Sequence, residues 1–425
     1  MAAGEHDLLL TDVRARGFAS PVDVAVVDGR IAAVGSDLPA APGTARLDGG
    51  GRAVLPGLVE PHLHLDKALL DARRPGDGTL DGAVAVTAEL KADFTVEDVA
   101  TRADTVLRWA VQHGTTCVRT PVDVDPTVGL TSLDALLELR ERWAGTVELQ
   151  VVAFPQEGIA ARPGTHDLLV EALRRGADVI GACSYAEGDV EACREHVRTV
   201  FDLAERFGVP VDVHADFPAN PGSDPTADPR HDLAADIADL TAARGLAGRV
   251  VLGHVTTLGA LGGSRRRRTL DALAAAQVGV VVLPPTDLYL QGWTAPLREL
   301  ADAGVATAFS SNNVRNAFTP FGTADVLDVA LLLAQTAPFP RAGQIDGLFD
   351  AATAGAAAMI GAGGHALVPG ERADLVVLDG HDHHTTLLDR APRRYVIAGG
   401  RVVAETETRR TLRAPDPPVR PRERS

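Results

Sequence analysis

The sequence predicts an α/β fold: a closed (β/α)8 TIM barrel carrying a small β-sandwich module built from both chain ends. Three observations carry this reading. About eight strand-like runs alternate with helical segments through the middle of the chain, which favours a closed barrel over an open doubly wound sheet. β-rich pieces stand at both ends, each too small to bury a core alone. The chain has 425 residues, 45% hydrophobic and 23% charged, enough apolar material for a large core and too much for disorder. The expected division is 1–56 with 366–413 for the accessory module and 57–365 for the barrel. Residues 414–425, rich in Pro and Arg, are expected to be a flexible tail.

The first segment runs as Asp7–Thr11, Val22–Val27 and Ile31–Val34, with Asp28-Gly29 supplying a hairpin turn. The same texture returns in Ala373–Leu378 and in Tyr395–Ala398 followed by Gly399-Gly400-Arg401-Val402-Val403. Between them the candidate strands are Val54–Leu65, Thr116–Val124, Glu148–Phe154, Val179–Ser184, Val209–His214, Arg249–His254, Val278–Leu283 and Val305–Ser310. Val96–His113, Thr131–Trp143, Leu168–Arg175 and Val190–Phe207 read as helices. Gly114, Gly176 and Gly208 stand where helices should stop, because glycine adopts the left-handed turn that ends a helix.

Lys+Arg 41 against Asp+Glu 57 gives a net charge of −16, which argues against nucleic acid or an anionic membrane as partner. The N-terminus shows no signal peptide, and no apolar run is long enough for a membrane helix. Cys117, Cys183 and Cys193 lack disulfide or metal spacing, which suits a reducing cytoplasm. His381-Asp382-His383-His384 looks like a metal tract but is expected to be a solvated loop. The run Arg265–Arg268 reads as a solvated helix face or an oligomer contact, and a homo-oligomer is expected.

Barrels of this kind place their chemistry at the C-terminal ends of the strands. The first strand ends Glu60-Pro61-His62-Leu63-His64-Leu65-Asp66-Lys67, and residues two apart on a strand share a face. His62 and His64 are therefore paired candidates for metal ligation. The fifth strand ends at His214 and the sixth at His254. Any one of these alone reads as a hydrogen-bonded core histidine. Four at one barrel mouth read as a site.

The His-Leu-His-Leu-Asp-Lys strand, Val-Asp-Val-His, Gly-His-Val-Thr-Thr and the bracketing β pieces resemble the amidohydrolase superfamily. Residues Arg119–Val124 and Gln150–Gly158 are similar to its cytosine deaminase branch, and the likeness extends to Leu290-Gln291-Gly292 and Pro320–Ala324. The resemblance implies metal ligation by His62, His64 and His214. It makes His254 the group that orients or activates the attacking water, and Gln156 a contact to a pyrimidine-like ring. A two-metal site bridged by a carboxylated lysine on the fourth strand is excluded, because no lysine follows Lys91.

Two positions depart from the family pattern. The eighth-strand aspartate is Asn312 here, and the glutamate after the fifth-strand histidine is Phe217. An amide cannot accept a proton near neutrality and phenylalanine cannot donate one. Since each general acid or base contributes about 10²–10⁴-fold, losing both could cost up to about 10⁸ if the effects were independent. His254 is then the candidate base, because imidazole titrates near working pH. Asp216 is a possible stand-in shuttle whose place in the sequence can point it away from the pocket. Three imidazoles plus water still make a workable zinc site, and Asn312 can offer a neutral carbonyl oxygen.

The expected activity is hydrolysis of a C–N bond of a small nitrogen heterocycle, as in a deaminase or cyclic amidohydrolase, through a metal-activated water. One divalent ion, zinc or iron, is expected per subunit, and no organic cofactor. Gln156, Phe217, Asn313 and Phe318 are the candidate substrate contacts, with His254 and Asn312 catalytic. The alternatives are a non-hydrolytic isomerase, cyclase or lyase on the same scaffold, which can be metal-free, and a non-catalytic binding protein.

Overall fold

The structure is a computed structural model that describes residues 7–218, 224–336 and 342–413. The tail expected at 414–425 lies outside the described residues. Eight parallel strands follow one another in chain order around a single sheet: Leu58–Glu60, Thr115–Asp123, Glu148–Phe154, Val179–Cys183, Val211–Ala215, Val250–His254, Gly279–Val282 and Thr307–Phe309. Their alternation with helices such as Val96–Gln112, Thr131–Trp143, Thr165–Arg175 and Val190–Phe207 gives the (β/α)8 barrel. The strands are almost wholly buried because the barrel interior covers one face and the helices the other.

The seam between the last and first strands lies beyond their regular ends. Leu63 forms a parallel bridge with Asn312, and the His64 N–H donates to the Asn312 carbonyl over 2.8 Å. Glu60 reinforces the seam by accepting from Ser311 N (2.9 Å), Ser311 Oγ (2.6 Å) and Ser310 Oγ. Burial pushes the Glu60 carboxyl up, against the lowering effect of those serine hydrogen bonds. The barrel is thus closed by the segments that carry the candidate site.

One expected strand divides. Instead of running from Val54 to Leu65, the chain leaves the accessory sheet at Pro56 and enters the barrel at Leu58. Gly57 makes the junction, where a Cβ would fall 2.1 Å from Thr116 Oγ1. No side chain fits there. His62 and His64 therefore lie past the regular strand, and their shared face comes from the extended segment around the Leu63 bridge.

The second sheet has seven strands in the order Arg401–Glu405, Arg393–Ala398, Leu375–Leu378, Ala45–Pro56, Leu8–Ala15, Val22–Val27 and Arg30–Gly35. The two chain ends meet where Leu375–Leu378 pairs antiparallel with Ala45–Pro56. Asp28 and Gly29 both take positive φ, 50° and 69°, as a tight hairpin between right-twisted strands requires. Its own core contains Leu10, Val24, Ile31, Val54, Leu375 and Ile397. The histidine tract is not purely a loop, since a short helix spans His383–Leu388. Its rings serve the backbone: His381 Nδ1 lies 2.9 Å from the Gly51 carbonyl and His383 Nε2 3.0 Å from that of Val54. No described helix is long and apolar enough to cross a membrane.

Candidate active site

The strand ends and the loops after them enclose a narrow cavity of about 20 Å³ at the C-terminal mouth of the barrel. That is room for about one water molecule, well below the ligand-pocket range of about 300–1,000 Å³. His64, His214, His254, Gln156, Phe217, Asn312, Asn313 and Phe318 all line it. His62 stands directly behind, fully buried.

The His214 Nε2 sits 3.1 Å from His62 Nε2 and 3.0 Å from His64 Nε2. One ring nitrogen carries either one hydrogen or one lone pair, so it cannot satisfy both neighbours by ordinary hydrogen bonds. Adjacent nitrogens on a tetrahedral zinc would be about 3.3 Å apart, given Zn–N bonds of 2.0–2.1 Å. The spacing fits a shared cation. Burial, then the charges of Lys67 and the neighbouring rings, holds His64 well below the ordinary imidazole range. Burial, then the His62 and His64 rings, does the same for His214. Neutral imidazole is the form that ligates metal. Asp212 Oδ1 stands 3.1 Å from His62 Nδ1. Asn312 Oδ1 is buried and has no hydrogen-bond partner among the described residues. The chemistry of this donor set therefore fits a divalent ion.

His254 lies beside the triplet, its ring centroid 5.4 Å from that of His214. Its Nδ1 is 2.6 Å from Asp287 Oδ1 in the helix Pro284–Leu290. Asp287 is held in turn by the Thr294 hydroxyl (2.8 Å) and the Leu283 N–H (3.3 Å), both on Oδ2. The backbone is strained at this mouth: His254, Val255 and Asn312 have φ of 71°, 52° and 57°. Such conformations cost about 1–3 kcal/mol each outside glycine. The Val255 N–H to Ala215 carbonyl bond (3.0 Å) and the Asn312 carbonyl bond to His64 hold them in place.

Asp216 does not serve the cavity. It too has positive φ (49°), and its carboxylate turns to accept from the backbone N–H groups of Leu233 (2.8 Å) and Ala234 (3.1 Å). Burial pushes its carboxyl up to about 7. Phe217 instead faces His254, with ring centroids 4.1 Å apart. It also belongs to an apolar cluster with Leu80, Leu290 and Phe318 that includes the helix Leu80–Leu90. It is pocket wall and core together.

Several site groups were not singled out from the sequence. Lys67 lines the cavity, donating to Asp123 (2.7 Å) and Gln156 Oε1 (3.4 Å). Lys91 is buried behind it among Asp123, Asp125 and Glu157. Being the only lysines in an arginine-rich chain was a signal that could have marked both. Tyr185 and Thr286, which line the cavity, and Asp287, which reaches it only through His254, carried no such mark, because they come from unrelated loops and helices.

A sequence model of the amidohydrolase family matches residues 74–404. The chain belongs to the amidohydrolase family. This amidohydrolase is 30% identical, over 74% of both chains, to a pterin deaminase of Rhizobium rhizogenes. Its fold superposes on 5-methylcytosine deaminase from Klebsiella pneumoniae with a TM-score of 0.87 at 26% identity, covering 95% of this chain and 99% of that one. N-isopropylammelide isopropylaminohydrolase from Burkholderia multivorans gives 0.82 at 32% identity, covering 94% and 98%. Within the family the chain sits in the cytosine deaminase-like branch. It is a hydrolase of the class that acts on carbon–nitrogen bonds other than peptide bonds.

Proposed function

We propose that the protein hydrolyses a C–N bond of a small nitrogen heterocycle bound in the barrel-mouth cavity. His62, His64 and His214 hold one divalent ion, zinc or iron, and His254 accepts the proton. The observation that supports this reading is the convergence of three buried imidazoles beside a histidine paired with a buried carboxylate. When bound, the ion supplies Lewis acidity that makes a water nucleophilic near neutral pH. Asn312 offers a neutral carbonyl oxygen to the same locus, which attracts a cation less strongly than a carboxylate.

Asp287 occupies the Nδ1 side of His254, so the proton goes to Nε2 on the cavity side. The buried carboxylate then stabilises the imidazolium that forms. Gln156 and Asn313 orient the ring by hydrogen bonds, and Phe217 and Phe318 supply apolar faces. Three buried free cysteines support placement in a reducing cytoplasm.

The test is metal analysis of the purified protein followed by ammonia release and ring opening across pyrimidines, triazines, imidazoles and pterins. About one zinc or iron per chain is expected, lost in His214→Ala together with turnover. Metal-free protein with undiminished turnover would overturn the mechanism.

A further inference from the structure

Among the described residues, no carboxylate lines the cavity. What lines it is donor-rich, and the hydrogen-bond network orients the donors. Gln156 Oε1 faces Lys67, which leaves the Gln156 amide nitrogen for the cavity. Asn316 Oδ1 accepts from the backbone N–H groups of Phe318 (2.9 Å) and Thr319 (3.1 Å), which fixes its amide. Its nitrogen then donates to Asn313 Oδ1 over 2.8 Å, so Asn313 turns its own nitrogen toward Thr286 and the cavity. An ammonium has three donors. Lys67 spends two on Asp123 and Gln156, leaving a third N–H.

The charges behind Lys67 are polarised. Lys67, Lys91 and Arg162 stand against Asp123, Asp125 and Glu157, and only the cationic member Lys67 reaches the cavity wall. An amino substituent or a protonated ring nitrogen needs acceptors, and the unpaired amide oxygen in the lining is the buried Asn312 Oδ1. Ring oxygens with a delocalised negative charge need donors, and Lys67, Gln156 and Asn313 provide them.

We propose that the site is built for an anionic, oxo-bearing heterocycle, with Lys67 as the specificity-determining cation and the Gln156 and Asn313 amides completing the donor set. This rests on the reading of the cavity as the substrate site. It names the substrate class that the cavity's chemistry selects. Lys67 contacts the ring oxygen, and Asp123, itself held by Lys91, keeps its ammonium in place.

The test is calorimetric binding to the full-length protein as purified, with orotate and barbiturate as anionic probes, uracil as the neutral ring and cytosine as the amino ring. The anions are expected to bind about tenfold or more tighter than uracil, from one charge-assisted hydrogen bond in a buried site. Lys67→Gln should bring the anions to within about threefold of uracil. Equal or tighter binding of uracil or cytosine overturns the inference, as does anion preference that survives Lys67→Gln, or no binding of either anion. Should Lys67→Gln fail to fold by circular dichroism, Asn313→Asp serves instead. It adds a carboxylate to the donor set and should move the ranking toward cytosine, whereas an unchanged ranking overturns the inference. Binding is read without turnover, so anion preference with no C–N cleavage sinks only the hydrolytic reading. C–N cleavage without anion preference sinks only this one.

Discussion

Replacing Asp287 by Asn tests the proposed base without changing the shape of the site. Asp287 Oδ2 accepts from Thr294 Oγ1 and from the Leu283 N–H, and both of those are donors. In Asp287→Asn the amide oxygen must take that place, which turns the amide NH₂ toward His254 Nδ1 at a spacing near the present 2.6 Å. Nδ1 is then forced to accept, so the neutral ring carries its hydrogen on Nε2, the nitrogen that should receive the proton. Wrong-tautomer histidines in comparable dyads lose up to about 10⁴ in rate, and a general base contributes about 10²–10⁴. A fall in kcat of about 10³-fold is expected, equivalent to about 4 kcal/mol. KM should change little if binding rests on Gln156, Asn313 and Lys67. The assay is steady-state turnover on the best substrate of the panel, with ¹⁵N NMR of the His254 ring reporting the tautomer. The double variant His254→Ala/Asp287→Asn should be no slower than His254→Ala, because the two residues act as one unit. If Asp287→Asn keeps activity within about threefold while the NMR shows the switched tautomer, His254 is not the base.

Phe217→Ala should destabilise by about 2–3 kcal/mol in urea denaturation. That is below a fully enclosed Phe→Ala change, because one face borders the cavity. The double variant Phe217→Glu/Asn312→Asp restores both family carboxylates and should raise metal affinity and ammonia release from cytosine by at least about tenfold. No gain in either would show that the rest of the cavity has moved away from deamination. For Glu187, burial raises the carboxyl, but hydrogen bonds from His196 and from the backbone of Ile159 and Ala161 outweigh it and bring it down to about 2. A depressed carboxylate contributes stability above its unfolded value near 4.5 and loses it as pH falls through about 2. Glu187→Gln should therefore cost about 2–3 kcal/mol at pH 7 and flatten the acid limb of thermal stability between about pH 5 and 2. An unchanged acid limb would rule out that contribution.

Which parts were readable from the chain depends on how locally each was encoded. The barrel strands were readable because strands covered on both faces are continuous apolar runs, and Gly114, Gly176 and Gly208 end helices through their own φ. The first strand was misread because nothing apolar marks the passage from one sheet to the other. Only the close approach of Thr116 to Gly57 does, and that approach is tertiary. The replacement of two carboxylates by Asn312 and Phe217 was visible by position. That Asp216 would not replace them was not, because its direction follows from a positive φ and from the two N–H groups of Leu233 and Ala234.

The chain alone determined the βα alternation, the meeting of its two ends in one sheet and the histidines and amides available at the strand ends. These follow from periodicity and residue type, which act over a few neighbours. Tertiary structure decided which of those groups share a cavity and what each presents to it. His62, His64 and His214 approach one another only because the first and fifth strands open at the same barrel mouth. Asp287 reaches His254 from 33 residues away, and Asn316 turns Asn313 through backbone donors of its own loop. A side chain's chemistry is local, but its protonation state and direction are set by whatever the fold places within about 3 Å.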